Sequence, residues 1–188
     1  MPTRLSPPAA TAVILGILAA MVVVLLAMGR VPVCECGSIK LWYGVANGSE
    51  GSQHVADWYT LSHVVHGLLF YGAAHWLMRR HGLPARAVAA TLVEAAWEIV
   101  ENTPQVIARY RDATIALGYN GDSVLNSMSD VGAMLLGFAL AARLPAWAGV
   151  VLVVALELAA LLAIRDNLTL NVLMLVWPTD AVRNWQAG

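Results

Sequence analysis

The chain has 188 residues, of which 59% are hydrophobic and only 12% are charged, and its formal net charge is −1. Soluble domains contain roughly 45–50% apolar and about 25% charged residues, so this composition favours lipid over water as the surrounding medium. The near-neutral charge gives no reason to expect nucleic acid as a partner. Two cysteines are too few for a disulfide scaffold or a closed zinc site. We therefore predict a single integral membrane domain over residues 1–188, with the lipid bilayer as its partner.

Five stretches have the length and apolar character of membrane-spanning helices: residues 11–29, 58–78, 87–107, 123–142 and 146–164. The predicted fold class is all-α, a polytopic membrane bundle of about five transmembrane helices. The first stretch exceeds the usual signal-peptide core of about 7–15 residues, so we expect it to stay uncleaved. Residues 165–188 hold an apolar run too short to cross a bilayer, which predicts an interfacial segment followed by a tail.

The connections between these stretches set the expected orientation. Residues 79–86 contain the densest basic cluster of the chain, including Arg79, Arg80 and Arg86. The positive-inside rule places such a short loop in the cytoplasm. The N-terminus is then cytoplasmic as well, and residues 30–57, which contain Cys-x-Cys-Gly, form an external loop over the polar centre.

The third stretch carries an acidic stripe. Glu94, Glu98 and Glu101 follow steps of four and three, and Gln105 continues the spacing. On an α-helix these steps keep the side chains within roughly 40° of one another. Ionisable groups at membrane depth turn toward the bundle interior or a watery cavity rather than toward lipid. We therefore predict that the stripe meets polar partners from neighbouring helices.

The second and fourth stretches supply candidate partners. The predicted topology puts their polar residues in the outer half of the bilayer, at a depth similar to that of the acidic stripe. The candidate metal ligands are His63, His66, Glu94, Glu98, Glu101, Asp122 and Asp130. The candidate catalytic residues are Glu98 and Asp130 as acid/base groups, with Asn126 orienting them.

Several interpretations of this cluster are open. Two imidazoles with carboxylates suit a divalent ion such as zinc, iron or manganese. An acid/base pair without metal is a second interpretation, with Glu98 beside Asp130 or His66. A proton or ion path is a third, and hydrogen bonds that only tie helices together are a fourth. The corresponding functions are a membrane enzyme acting on a lipid-linked or envelope substrate, or a non-catalytic assembly protein or small ion carrier.

The pair Cys34 and Cys36 lies in the external loop. A disulfide across a single residue is strained, although an external location permits oxidation. Metal binding with the help of His54 has no further support in the sequence. The role and redox state of the two cysteines are therefore left open.

Several motifs follow one another along the chain: Cys34-x-Cys36-Gly37, Leu41-Trp42, Ser52-Gln53-His54, Asp57-Trp58-Tyr59-Thr60-x-Ser62-His63-x-x-His66-Gly67, Trp97-Glu98-x-x-Glu101-Asn102 and Tyr119-x-Gly121-Asp122-Ser123-x-x-Asn126-Ser127-x-Ser129-Asp130. Together they resemble a group of uncharacterised bacterial multi-pass inner-membrane proteins, a UPF-type domain of unknown function. The resemblance covers roughly residues 30–180. It implies a cell-membrane protein and carries no established activity. A more distant similarity points to VanZ-like membrane proteins.

Overall fold

The structure is a computed structural model that describes residues 5–45, 48–114 and 118–188. Over these residues it contains eight α-helices and no β-strand, apart from an isolated bridge between Tyr43 and Asp57. The helices are α1 Pro7–Ala27, α2 Thr60–Leu77, α3 Leu83–Glu101, α4 Pro104–Ala113, α5 Val124–Ala141, α6 Ala146–Ile164, α7 Leu168–Val176 and α8 Asp180–Ala187. The predicted all-α class is confirmed. Residues 1–4, and residues 46–47 of the predicted external loop, lie outside the described part.

Helices α1, α2, α5 and α6 lie close to their predicted ranges, whereas the prediction of one helix over residues 87–107 was wrong at both ends. The helix ends at Glu101 because Pro104 starts a new helix, for which Thr103 is the N-cap and accepts from the Val106 amide at 3.4 Å. Proline lacks a backbone N–H and restricts the residue before it, which favours this break. Gln105 therefore belongs to α4 and leaves the acidic stripe.

The predicted basic loop, residues 79–86, is shorter than expected. Helix α3 already begins at Leu83, with Gly82 as its N-cap and Pro84 in its first turn. A proline fits this position because the first helical amides have no partner within the helix. Arg86 is consequently helical, and it donates to the Met78 carbonyl at the end of α2.

Within the described residues, three helices are long and apolar enough to cross a membrane: α1, α5 and α6. The mean hydropathy of α1 is 2.8 and that of α6 is 2.5. Most of their apolar surface points outward, since α6 buries only Ala160 and Ile164. Helix α3 falls outside this set because it carries Arg86 and three glutamates. Five membrane crossings therefore remain a prediction.

Helices α2, α3 and α5 form the centre of the bundle, with α1 packed on α3 and α6 packed on α2. The closest pair is α2 and α5, which approach through two glycines. A Cβ atom on Gly67 would collide with the backbone at Met134 and Phe138, and one on Gly137 would collide with the Val64 backbone. This close approach brings the polar faces of α2 and α5 together.

The segment predicted as interfacial contains two short helices, α7 and α8. Glu157 in the middle of α6 accepts hydrogen bonds from the backbone amides of Leu168 and Thr169 at 3.1 and 3.0 Å. These contacts hold the start of α7 against α6. Asn167 caps the same helix by accepting from the Leu170 amide at 2.9 Å.

Candidate functional site

One glutamate of α3 lies between two imidazoles of α2. The Glu94 side chain is fully buried, and its carboxylate is 2.6 Å from His63 Nδ1 and 3.1 Å from His66 Nδ1. An ionised carboxylate can only accept hydrogen bonds, so in the absence of a metal ion the tautomers with a proton on Nδ1 fit these contacts. His63 and His66 lie three residues apart, a spacing that directs both rings to one side of the helix. Helices α2 and α3 are thus joined by a charge-assisted contact.

A second group forms around Glu98, one turn further along α3. Its Oε1 is 3.5 Å from His63 Nδ1, and the other nitrogen of that ring is 3.8 Å from Asp130 Oδ2 on α5. Thr60 donates its hydroxyl to Asp130 at 3.2 Å. Glu98 is fully buried, yet neither of its carboxylate oxygens has a hydrogen-bond partner among the described residues. A buried carboxyl group in this state is costly and calls for a physical explanation.

A third group lies where α3 ends and α5 begins. Asp122 accepts hydrogen bonds from Asn102 Nδ2 and from the Tyr119 hydroxyl, both at 2.9 Å, and its amide donates to Asn102 Oδ1 at 2.7 Å. Burial raises the pKa of the Asp122 carboxyl above its ordinary value, although these two side-chain hydrogen bonds act in the opposite direction. Glu101 lies close enough to Asp122 and Glu98 for the three carboxylates to bind one metal ion together.

Gly121 makes this third group possible. Its φ is +88°, in the left-handed region that a glycine adopts without steric cost. A side chain here would also collide with Arg30, Ile107 and the Asn102 amide. Asp122 can therefore reach Asn102 only because residue 121 has no side chain.

The three groups are continuous because they share members. Each offers ligand atoms that all lie within 4.8 Å of one another: His63, His66 and Glu94; His63, Glu98 and Asp130; Glu98, Glu101 and Asp122. Two ligands of a tetrahedral ion with bonds near 2.1 Å lie about 3.4 Å apart. The 3.5 Å spacing between His63 and Glu98 fits that value, whereas the 2.6 Å contact between His63 and Glu94 must open to admit an ion.

The structure thus brings all seven candidate metal ligands into one network, named here the buried network. Asn126 does not join it. Its Nδ2 donates to the His54 carbonyl at 2.9 Å, which ties α5 to the α1–α2 loop. Sequence reasoning gave no role in the network to Thr60, Asn102 or Tyr119. The i, i+4 spacing of Asn102 from Glu98 and the closeness of Tyr119 to Asp122 were the available signals.

The α1–α2 loop covers the beginning of α5, next to the buried network. Ser123 donates its amide to the Ser52 carbonyl and its hydroxyl to the Gln53 carbonyl, both at 3.0 Å. Gln53 in turn donates to the Gly121 carbonyl at 2.7 Å. Cys34 and Cys36 form a disulfide within the same loop.

Two neighbouring cavities reach the network. A cavity of about 240 Å³ is lined by five of its members, His63, His66, Glu101, Asp122 and Asp130, together with apolar side chains of α3 and α7. A cavity of about 400 Å³ lies under the α1–α2 loop. The two cavities share four lining residues, Ser52, Tyr59, Tyr119 and Asp122.

These features define a helical protein with three potential membrane-crossing helices and a buried network of histidines and carboxylates. The chain belongs to the family described as "Protein of unknown function (DUF2585)", whose sequence model matches residues 25–188. The prediction of an uncharacterised family is confirmed, and the similarity to VanZ-like proteins stays a prediction.

Curated relatives support the same family. A UPF0314 protein of Rhizobium meliloti (strain 1021) is 60% identical over 174 residues, which cover 93% of this chain and 88% of the relative. A UPF0314 protein of Paracoccus denitrificans (strain Pd 1222) is 56% identical over 186 residues, covering 99% and 95% of the two chains. No solved structure matches the chain. The names of these relatives state no activity.

Proposed function

We propose that this protein is a membrane enzyme whose buried network holds a divalent metal ion and acts on a lipid-linked or envelope substrate. The observation that carries the proposal is Glu98, which is fully buried and has no hydrogen-bond partner among the described residues. A buried carboxylate carries a desolvation penalty on the order of several kcal/mol, which the His63 ring at 3.5 Å offsets only in part. A cation between Glu98 and its neighbours removes this cost.

The donor set supports the choice of ion. Two imidazoles and several carboxylates suit zinc, iron or manganese, and two histidines with one glutamate form a set used in catalytic zinc sites that keep an open position. When bound, such an ion supplies Lewis-acid activation of a water molecule or a substrate oxygen. Glu98 and Asp130, both directed to His63, are placed to hold and transfer a proton beside it.

The shape of the smaller cavity supports a substrate with an apolar part. Val93 on α3 and Val172 on α7 line this cavity and are 53% and 47% exposed, so it reaches the surface between these two helices. Phe70, Trp97 and Leu168 continue the apolar lining inward. In a bilayer, an opening of this kind admits a chain from the side, while the carboxylates and imidazoles face the polar group that reacts.

The same proposal includes the placement in the membrane. Helices α1, α5 and α6 have the length and hydropathy to cross, and we infer that α2 and α3 cross with them because their polar faces point inward. The turn with Arg79 and Arg80 then lies in the cytoplasm, together with the N-terminus. This arrangement makes the protein a multi-pass protein of the inner membrane.

A non-catalytic role is the second candidate, and the His63–Glu94 contact favours it. At 2.6 Å this contact is already a short, buried hydrogen bond that joins α2 to α3 without an ion. Such contacts hold helices together in membranes. If the polar contacts of the network serve only to hold helices or to move protons, Glu98→Gln should alter stability or proton movement and should not change the amount of bound metal.

Metal content tests the proposal. The full-length protein is purified in detergent, stripped with a chelator and dialysed separately against Zn²⁺, Mn²⁺ and Fe²⁺ in the presence of a phosphate-free buffer. Elemental analysis is then compared for the wild type, His63→Ala and Glu98→Gln. The matched controls are His75→Ala on α2 and Glu157→Gln on α6, because these residues lie outside the buried network.

We expect stoichiometric metal in the wild type and both controls, and loss of that metal in the two network variants. A wild type without stoichiometric metal, or network variants that keep it, contradicts the metal-dependent function. Folding of each variant is checked by its elution profile and helical circular dichroism, so that a misfolded protein is not counted as a loss of binding.

A further inference from the structure

A second set of metal-ligating side chains lies in the α1–α2 loop, apart from the buried network. Cys34, Cys36, Glu50 and His54 each offer one ligand atom, and these atoms lie within 4.8 Å of one another. Cys34 and His54 are buried, with 5% and 1% exposure, while Glu50 is half-buried. None of the four is used by the function proposed above.

We propose that reduction of the Cys34–Cys36 disulfide turns this set into a binding site for a thiophilic divalent cation such as Zn²⁺. Two thiolates, one imidazole and one carboxylate are four donors of the kinds that zinc takes in tetrahedral sites. The oxidised loop offers only the imidazole and the carboxylate, because disulfide sulfurs are no longer thiolates. Metal binding by the loop is therefore controlled by its redox state.

The chemistry balances with a dithiol as the reductant. Its two thiol groups reduce the S–S bond of the loop to two thiols and become a disulfide themselves, so two electrons and two protons pass to the protein. Binding of the divalent cation then displaces the two thiol protons into the solvent. Reoxidation reverses the first step and releases the cation.

Charge balance supports this site. Two thiolates and the Glu50 carboxylate carry three negative charges when His54 is neutral. Lys40 Nζ lies 2.5 Å from Glu50 Oε2, so one positive charge is already in place. A divalent cation supplies the remaining two, and the loaded site is neutral. Without a cation the two thiols keep their protons and Lys40 balances Glu50, so the exchange of two protons for one divalent cation leaves the charge of the site unchanged.

The histidine is already held in position. His54 Nε2 lies 2.7 Å from Glu50 Oε2, and its Nδ1 accepts from the Lys40 amide at 3.3 Å. Its backbone carbonyl accepts from Asn126 on α5 at 2.9 Å. A histidine whose second nitrogen is bonded to a carboxylate is the usual arrangement around protein metal ions. Both ring nitrogens have partners, so one of these two contacts must open when the cation binds, while the other contact and the Asn126 bond keep the ring in place.

The cation also has a way in. Cys34, Cys36 and Glu50 all line the cavity of about 400 Å³ under the loop. This cavity adjoins the one that opens between α3 and α7, and the two share four lining residues. Three of the four ligands of the loop site can therefore be reached from this cavity.

Zinc binding under two redox conditions tests the inference. Full-length protein in detergent is prepared oxidised, or reduced with a phosphine that is then removed under inert gas. Both samples are dialysed against Zn²⁺ and measured by elemental analysis. We expect the reduced wild type to bind one equivalent more than the oxidised wild type. Replacing Zn²⁺ by Co²⁺ should give a thiolate-to-metal charge-transfer band only after reduction.

Single-residue variants test which side chains bind the additional equivalent of Zn²⁺. Cys34→Ser and Cys36→Ser should each lose it, whereas Glu35→Gln should keep it, since Glu35 lies between the cysteines but outside the ligand set. Glu98→Gln should also keep it, which separates this result from any failure of the proposed enzyme function. If a cysteine variant does not fold, alkylation of the reduced wild type replaces it, and Zn²⁺ should slow the reaction of both thiols.

Equal zinc in the two redox states overturns the inference. So does an extra equivalent that persists in both cysteine variants, or alkylation that Zn²⁺ leaves unchanged.

Discussion

Replacement of Glu98 by glutamine should have opposite effects with and without metal. In the protein without metal, the Glu98 carboxyl group is buried and has no hydrogen-bond partner among the described residues. Glutamine has nearly the same shape and carries no charge. Removing the carboxyl group therefore relieves a desolvation cost, and we expect the variant to be more stable than the wild type under chelating conditions.

The magnitudes follow from the burial of this group. A buried carboxylate costs several kcal/mol, which the His63 ring at 3.5 Å offsets in part, and an unpaired buried amide costs about 1–3 kcal/mol, so the metal-free variant should gain roughly 1–2 kcal/mol. A ligand at about a hundred times its dissociation constant stabilises the folded state by about 2.7 kcal/mol. For a chain of this size that corresponds to about 5–10 °C in Tm. The wild type should show this increase and Glu98→Gln should lose most of it.

Thermal unfolding in detergent measures both effects, with each protein scanned in chelator and in saturating Zn²⁺ or Mn²⁺. The Glu157→Gln variant controls for loss of a glutamate that caps α7 instead of facing the network. The expected result is a crossing of the two curves, with the variant higher in chelator and the wild type higher in metal. If Glu98→Gln is less stable than the wild type in chelator and responds equally to metal, the reasoning is refuted.

Two further predictions concern packing and pH. Gly67→Ala should destabilise the protein by about 1–3 kcal/mol, because the new Cβ would collide with the α5 backbone. The control is Gly72→Ala on the same helix, whose Cβ would have nothing within 4 Å and should not lower stability. The Tm of each variant measures the effect. Burial raises the pKa of Asp166, which lies between α6 and α7, to about 6 from its ordinary value of 3.8. Its protonation therefore stabilises the fold fully below about pH 4, and this contribution of about 3 kcal/mol is lost as the pH rises through 6. Asp166→Asn should flatten the fall in Tm between pH 4 and 7, and Asp180→Asn, at an exposed position, should leave it unchanged.

The helices could be predicted where hydrophobic length alone decides. The predicted range 146–164 coincides with α6, and α5 differs from its range by little, since both are apolar runs ended by turn residues. The same criterion failed after Glu101, where the apolar pattern continues past the end of the helix. Thr103 and Pro104 are a strong local signal for a cap followed by a first turn, and their effect outweighs the pattern.

The members of the buried network could be predicted from helical spacing, but their pairing could not. Spacing places Glu94 and Glu98 on one face of α3, yet it does not indicate that Glu94 binds two histidines while Glu98 is left without a partner. That difference depends on the rotation of α3 against α2, which is set by tertiary packing. The partner of Asn126 could not be predicted for the same reason, because its amide reaches a loop carbonyl far away in sequence.

The end of α3 at Glu101 is what gives the site its third group. If the helix continued through residue 107, Asn102 would be one more helical residue, and its amide would have no reason to face α5. Because the helix stops, Asn102 donates both to the Glu98 carbonyl and to Asp122, and it accepts the Asp122 amide. One side chain thus ends α3 and fixes the carboxylate that enters from the start of α5. Helix α3 therefore ends earlier than the apolar pattern predicts at the position where Asn102 joins α3 to α5 and brings Asp122 next to the glutamates of α3.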